Sequence, residues 1–344
     1  MNNLKIYTRF IVLMCACWLF AKTSQAQDVH FSQYQASPLT LNPALTGGFK
    51  GDWRLMNIYR GQWRTIDRAF VTNALGFDKK FRYPSTTVNA GIVYVYDRAG
   101  LVRLASDKLL VSGAITKVLA KNEFTLGLQL GLVSKRVDIS ALSFPDQFNN
   151  DTGYFDNTLI TDEQNIGSGV FYADVNAGIR WKRRFGPLEP WLAYGVFHLN
   201  KPNETFVNNE DKQRLAMRHN VNVALRLWVG DRLFFTPEIM ANFHNEASEV
   251  LIGGDVTYLP KWNPTGVQAL FAGASIRNDN NAARDAIIAV VGAEVKNLRV
   301  GLSYDMNVSG LNTATGGEGA YELSLIYIGR LIPPDKVQIP CERY

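Results

Sequence analysis

Along residues 124–132, apolar residues alternate with small or polar ones: Phe124, Leu126, Leu128, Leu130 and Leu132 take one phase, and Thr125, Gly127, Gln129 and Gly131 the other. A period of two places each set on its own face of a β-strand. The pattern recurs at 171–181, where Phe171, Ala173, Val175, Ala177, Ile179 and Trp181 oppose Tyr172, Asp174, Asn176, Gly178 and Arg180. It recurs at 217–229, where Met217, His219, Val221, Val223, Leu225, Leu227 and Val229 oppose Arg218, Asn220, Asn222, Ala224 and Arg226. Similar segments lie at 52–64, 69–80, 86–97, 107–119, 190–200, 232–244, 248–258, 266–277, 285–296, 298–307 and 319–330. Most last about nine to thirteen residues, which suits a tilted strand crossing a bilayer and exceeds the usual five or six of soluble sheets. They total about fourteen, an even number of the kind bacterial barrels use.

Alternation alone does not say which face is outside, since a soluble sandwich with an apolar interior writes the same string. Strand length favours the inverted arrangement, with apolar residues toward lipid. So does aromatic placement: Trp53 and Trp63 bracket one strand, Tyr94 and Tyr96 end another, and Trp181, Trp191, Tyr258, Tyr304 and Tyr327 sit near strand ends on the apolar phase, as interface girdles require. Connections at Lys121-Asn122, Gly186-Pro187, Gly230-Asp231 and Lys296-Asn297 are tight, whereas 137–166, 201–213 and 308–318 read as long polar loops. The three long loops follow odd-numbered strands and so share a side, which a barrel turns to the cell exterior. The reading is an all-β chain forming a single transmembrane antiparallel β-barrel of about fourteen strands over 51–331.

Export follows from the first residues. Lys5 and Arg9 precede the apolar run Phe10–Ala21, and Ser24-Gln25-Ala26 offers a small-x-small cleavage site, so 1–26 reads as a signal peptide and the mature chain as beginning at Gln27. A lipoprotein signal is the weaker reading, because Met14 stands before Cys15 where a small residue belongs. Cleavage takes Lys5, Arg9 and Lys22 and no acid from 36 basic residues, against 31 acidic ones, leaving about +2 and no basic footprint for nucleic acid. It also takes two of three cysteines, so Cys341 has no partner within the mature chain. Although 47% of the chain is hydrophobic, no stretch beyond the leader nears the ~18 unbroken apolar residues of a membrane helix.

Catalytic patterns are scarce, and neither catalysis, a metal nor a cofactor is expected. His30, His198, His219 and His244 are scattered without paired-ligand spacing, and no nucleophile elbow, phosphate loop or dinucleotide fingerprint is written. The Asp- and Asn-rich stretch 146–163 fails as an EF-hand, since Gly153 would put Phe148 at the first ligand position. The polar phases say more. Arg60, Gln62, Arg64, Asp174, Arg180, Arg218, Arg226, Glu238, Asp255, Glu294, Asp305 and Glu322 lie at depths where lipid exposure of a base costs ~2–4 kcal/mol, so they are predicted to face the lumen and pair. Residues 27–50, too polar for a strand and interrupted by Pro38 and Pro43, are the candidate to occupy that lumen. Residues 332–344 remain as a tail, and because an even-stranded barrel returns both ends to one side, both termini are expected in the periplasm.

Gln27-Asp28-Val29-His30-Phe31-Ser32-Gln33-Tyr34, with Pro38-Leu39 and Leu41-Asn42-Pro43-Ala44, resembles the opening of mature PorP/SprF proteins, outer-membrane components of the type IX secretion and gliding machinery. Tyr59-Arg60 with Gln62-Trp63 resembles the family's first-strand motif, and Gly301–Asp305, Asn307–Ser309, Gly319–Leu325 and Cys341–Tyr344 its closing motifs. The tail departs from the usual Cys-Pro-Arg-Phe, with Glu342 and Tyr344, but keeps Cys341 and Arg343. The resemblance implies a non-enzymatic outer-membrane barrel, surrounded by outer-membrane lipid, that assists secretion or surface anchoring of cargo. Its implied partners are a periplasmic lipoprotein ring, a peptidoglycan-linked protein, and a cargo or adhesin carrying a C-terminal sorting signal. The fold equally supports a passive pore or solute transporter.

Overall fold

The computed structural model describes residues 30–62, 70–100, 104–138, 144–149, 152–156, 159, 169–206, 214–245, 247–261, 266–279, 284–308 and 318–330. The signal peptide expected at 1–26, Gln27, Trp63, Arg64, much of the three long loops, and the tail at 332–344 with Cys341 and Arg343 lie outside the described residues.

One closed barrel contains β1 (Trp53–Gln62), β2 (Phe70–Arg82), β3 (Thr87–Ala99), β4 (Leu104–Leu119), β5 (Asn122–Arg136), β6 (Gly169–Arg183), β7 (Leu188–Phe197), β8 (Arg218–Val229), β9 (Leu233–His244), β10 (Ala247–Tyr258), β11 (Val267–Asp279), β12 (Arg284–Val295), β13 (Leu298–Asn307) and β14 (Glu318–Gly329). Each strand pairs antiparallel with its sequence neighbours, and β14 closes on β1 through a register that sets Arg60 opposite Glu322. Closure leaves no open sheet edge for the bilayer to meet, the condition under which strands can span it. The sandwich reading is thereby excluded.

The inverted pattern holds in β5, where Leu126, Leu128 and Leu130 are 64–67% exposed while Thr125 and Gln129 are 1% exposed. In β6, Phe171 and Ile179 are exposed and Asp174, Asn176 and Arg180 buried; in β8, Val223 is exposed and Asn220 and Asn222 buried. The outer rings of Tyr194, Tyr258, Tyr304 and Tyr327 are exposed, and Trp53 packs at a tilt between Phe77 and Tyr327. Trp191 corrects the expected girdle. It shares the inward phase of Glu189 and Ala193 and packs against the buried cluster of Tyr34, Leu41 and Leu45.

The four tight links all lie at one end, the turn side. Ala120 and Lys121 take left-handed φ values of 47° and 70°, the primed geometry that lets two residues join twisted strands. The long connections after β5, β7 and β13 lie at the other end, the loop side, although the links after β3 and β9 on that side are also short. Strand β7 ends at Phe197 instead of 200, because His198 turns into positive φ (60°) and the chain leaves the sheet.

From Asp52, residues 52–30 run back up inside the barrel. This plug carries three short helical turns, Tyr34–Ala36, Pro38–Leu41 and Pro43–Leu45. Phe31, Ala36 and Leu39 pack on Met56, Ile58, Ala74, Val93, Val95 and Leu110, and Tyr34, Leu41 and Leu45 on Ala193, Met240, Leu251 and Ile288. The hydrophobic core is thus the contact between plug and wall.

Candidate functional site

The candidate site is this plug and the inner wall that holds it. At the loop end of the seam, the Ser32 amide donates to Glu322 Oε1 at 2.7 Å and the Gln33 amide to Glu322 Oε2 at 2.8 Å, so one carboxylate caps two consecutive N–H groups. Ser32 Oγ donates to Asp305 at 2.6 Å and accepts from Arg60 at 2.9 Å and Arg277 at 3.1 Å. Arg60 bridges Glu322 (2.6 Å) and Asp305 (3.1 Å), and Arg277 reaches Asp305 (3.1 Å) and Asp285 (2.7 Å). The Gln33 amide group donates to Ser303 and accepts from Ser324. Residues of β1, β11, β13 and β14 therefore converge on two plug residues, across the strand pair that closes the barrel. Burial of these charges is tolerable because each has an oppositely charged partner, although Asp305 bonds through Oδ2 alone and its Oδ1 is buried with no hydrogen-bond partner among the described residues.

Deeper, the plug is fitted to the wall by glycine. Gly127, Gly178 and Gly195 stand opposite one another in register across β5, β6 and β7. A Cβ at Gly178 would strike Asn42, and one at Gly127 would strike the backbone of Pro43 and Ala44. Asn42 is fully buried there, and its Oδ1 accepts from the Ala44 amide at 2.8 Å, capping the turn that begins with Pro43. The Leu39 carbonyl accepts from Gln129 (2.9 Å), and Thr46 donates to Ser112 (2.9 Å).

At the turn end, Asp78 accepts from Arg54 Nε (2.9 Å) and Nη2 (2.7 Å) and from the Gly47 amide (2.7 Å). Lys80 donates to the Phe49 carbonyl, and Arg82 pairs with Asp52.

Of the charges predicted to face the lumen, Arg60 and Glu322 meet at the seam, and Arg180 is buried beside Glu123 and Thr125. Arg218 lies over the Phe197 ring, and Arg226 lies 3.6 Å from Glu189. Glu238 accepts from the plug residue Gln35. Burial, reinforced by the neighbouring Glu238 carboxylate, holds the Tyr34 phenol well above its usual pKa, so it stays a neutral donor. Arg64 lies outside the described residues. The family-motif residues Phe31, Ser32, Gln33, Tyr34, Asn42 and Pro43 all belong to the plug. His198 and His244 are buried at the loop end of the lumen, whereas His219 faces outward on Tyr194.

Sequence reasoning missed Arg54, Asp78 and Arg277, as well as the glycine row. The row carries no signal until the register of β5, β6 and β7 is known. It also missed the inward apolar residues Met56, Val93, Leu110, Met240 and Leu251, which the rule of a polar lumen argues against. Among the described residues, the turn-side half of the lumen holds two sizeable cavities. One, of about 250 Å³, is bounded by Tyr34, Glu238, Asp255, Phe271 and Arg299; the other, of about 190 Å³, by Leu41, Arg180, Glu189, Trp191 and Arg226.

A family model described as type IX secretion system membrane protein PorP/SprF matches residues 23–327. No curated protein matches the chain. Among solved structures, the Ralstonia pickettii toluene transporter TbuX is similar with TM-score 0.51 at 10% identity, covering 86% of this chain and 94% of its own. The monoaromatic hydrocarbon channel CymD gives TM-score 0.51 at 10% identity, covering 86% and 93%. A deltaS2 mutant of the hydrocarbon channel TodX gives 0.50 at 10%, covering 85% and 92%. At such identity these likenesses concern the outer-membrane barrel fold alone.

Proposed function

The chain belongs to the PorP/SprF family of type IX secretion system membrane proteins, and from that premise we propose that it is a plugged, non-enzymatic outer-membrane component that assists secretion or surface anchoring of cargo. The observation that carries this reading is the plug. The family's opening motif, Phe31–Tyr34, is stapled inside the barrel to residues of the closing motifs, Ser303, Asp305, Glu322 and Ser324. A lumen filled through so many buried polar contacts suits a scaffold better than a passage. On this reading the periplasmic lipoprotein ring and peptidoglycan-linked protein contact the turn side and the tail, and a cargo or adhesin with a C-terminal sorting signal is handled at the loop side. Affinity purification from native outer membranes should recover those components with the barrel; a preparation yielding the barrel alone would contradict it.

The second reading is a solute pore or transporter. The two residual cavities and the fold shared with hydrocarbon channels favour it. Planar bilayers separate the two: steady ohmic conductance from the intact chain supports the pore, and silence supports the scaffold.

A further inference from the structure

Outside the barrel, one part of the loop-side rim differs from the loop ends of β8, β9, β13 and β14. In register, Arg98 of β3 stands opposite Ala105 of β4, which stands opposite Arg136 of β5. One row toward the membrane lie Tyr96, Asp107 and Ser134, and the next row is Tyr94, Leu109 and Leu132. Arg98 and Arg136 follow the outward phase of Ile92, Tyr94, Leu130 and Leu132 and are exposed, while Val93, Val95 and Val133 face inward and are buried.

Depth gives this row its meaning. Tyr94 and Tyr96 mark the membrane interface, where tyrosine rings settle. Arg98 and Arg136 leave their strands about 7 Å beyond the Tyr96 row, less after tilt, and fold back so that their guanidinium groups lie level with the Tyr96 hydroxyl and the Asp107 carboxylate, at the interface where headgroups begin. Both are oriented from below. Arg98 Nε donates to the Tyr96 hydroxyl at 2.6 Å, and Arg136 Nη2 donates at 2.7 Å to Asp107, which also accepts from Tyr94 at 2.5 Å. Ala105, between them in the row, is buried and adds no charge. Asp107 pairs with Arg136, whereas Arg98 has the neutral Tyr96 hydroxyl as its partner. The outward loop-end residues of β8, β9, β13 and β14 are, by contrast, His219, Phe243, Met306 and Tyr321.

The geometry points to a binding site for a phosphate group of the outer-leaflet glycolipid, lipid A, seated between Arg98 and Arg136. Arginine's planar fork matches the phosphate oxygens, and the aromatic girdle beneath packs the acyl chains. The site rests on the loop side being the cell exterior and is independent of what the plug does.

The test reconstitutes the full-length mature barrel in detergent and titrates bisphosphorylated lipid A, enzymatically dephosphorylated lipid A and phosphatidylglycerol, with native mass spectrometry reading bound lipid. The expected result is retention of phosphorylated lipid A by the wild type, weakened about tenfold, the equivalent of one charge-assisted contact, in R98A/R136A. Dephosphorylated lipid A should bind both proteins equally weakly. Heat-modified migration in gels verifies that the variant is folded, and R98K/R136K, which keeps the charge without the fork, should fall between. Equal retention of lipid A by wild type and double variant would overturn the site. Equal retention of phosphatidylglycerol by the wild type would overturn its assignment to the glycolipid.

Discussion

Ser32 uses its whole hydrogen-bonding capacity in the seam, donating to Asp305 and accepting from Arg60 and Arg277. Its neighbours are charged and buried, so the network resists partial removal. Arg60→Met leaves the buried Glu322 carboxylate without its cation and should destabilise the folded barrel by ~3–5 kcal/mol in urea titrations followed by tryptophan fluorescence. The double variant R60M/E322M should lose clearly less than the sum of the two single variants, since no orphaned charge remains. Additive losses would mean that the pair is not coupled. Gly178 poses a different constraint, because the space its side chain would take is filled by Asn42. Gly178→Leu should therefore displace the plug from β6, seen as protease cleavage within residues 38–48 that the wild type resists.

The wall strands were legible element by element because lipid outside and polar groups inside write a period of two. Strand β5 shows it without interruption, from Phe124 to Leu132. The reading failed where the plug replaces water in the lumen. Met56 and Ile58 in β1, and Val93 and Val95 in β3, are inward and apolar because Phe31, Ala36 and Leu39 cover them. Trp191 looked like a girdle residue for the same reason. The plug motifs were visible as sequence, but their partners were not, since Ser32 and Glu322 are 290 residues apart. At this scale the prediction concerns packing: Leu39→Ala, at a fully buried position, should cost ~2–5 kcal/mol and loosen the plug ahead of the wall. Hydrogen exchange checks it, with protection lost at residues 36–46 while β4 and β5 keep theirs.

As a whole molecule the chain is a closed barrel whose two wall ends, Trp53 and Gly329, lie together at the turn side. Its first described residue, His30, stands near Glu249 at the loop side, with the plug spanning the interval. The opening motif at Ser32 and Gln33 and the closing motifs at Ser303, Asp305, Glu322 and Ser324 thus meet inside the lumen, and a change in either would be felt across the closing strand pair. On the proposed scaffold reading, that arrangement accounts for a barrel of a secretion family whose lumen is occupied by its own chain. The most direct measurement is the surface proteome of a strain lacking this gene, taken together with its uptake of small solutes. The account predicts that a cargo protein carrying a type IX C-terminal signal disappears from the cell surface while solute uptake is unchanged. An intact surface proteome with impaired uptake would contradict it.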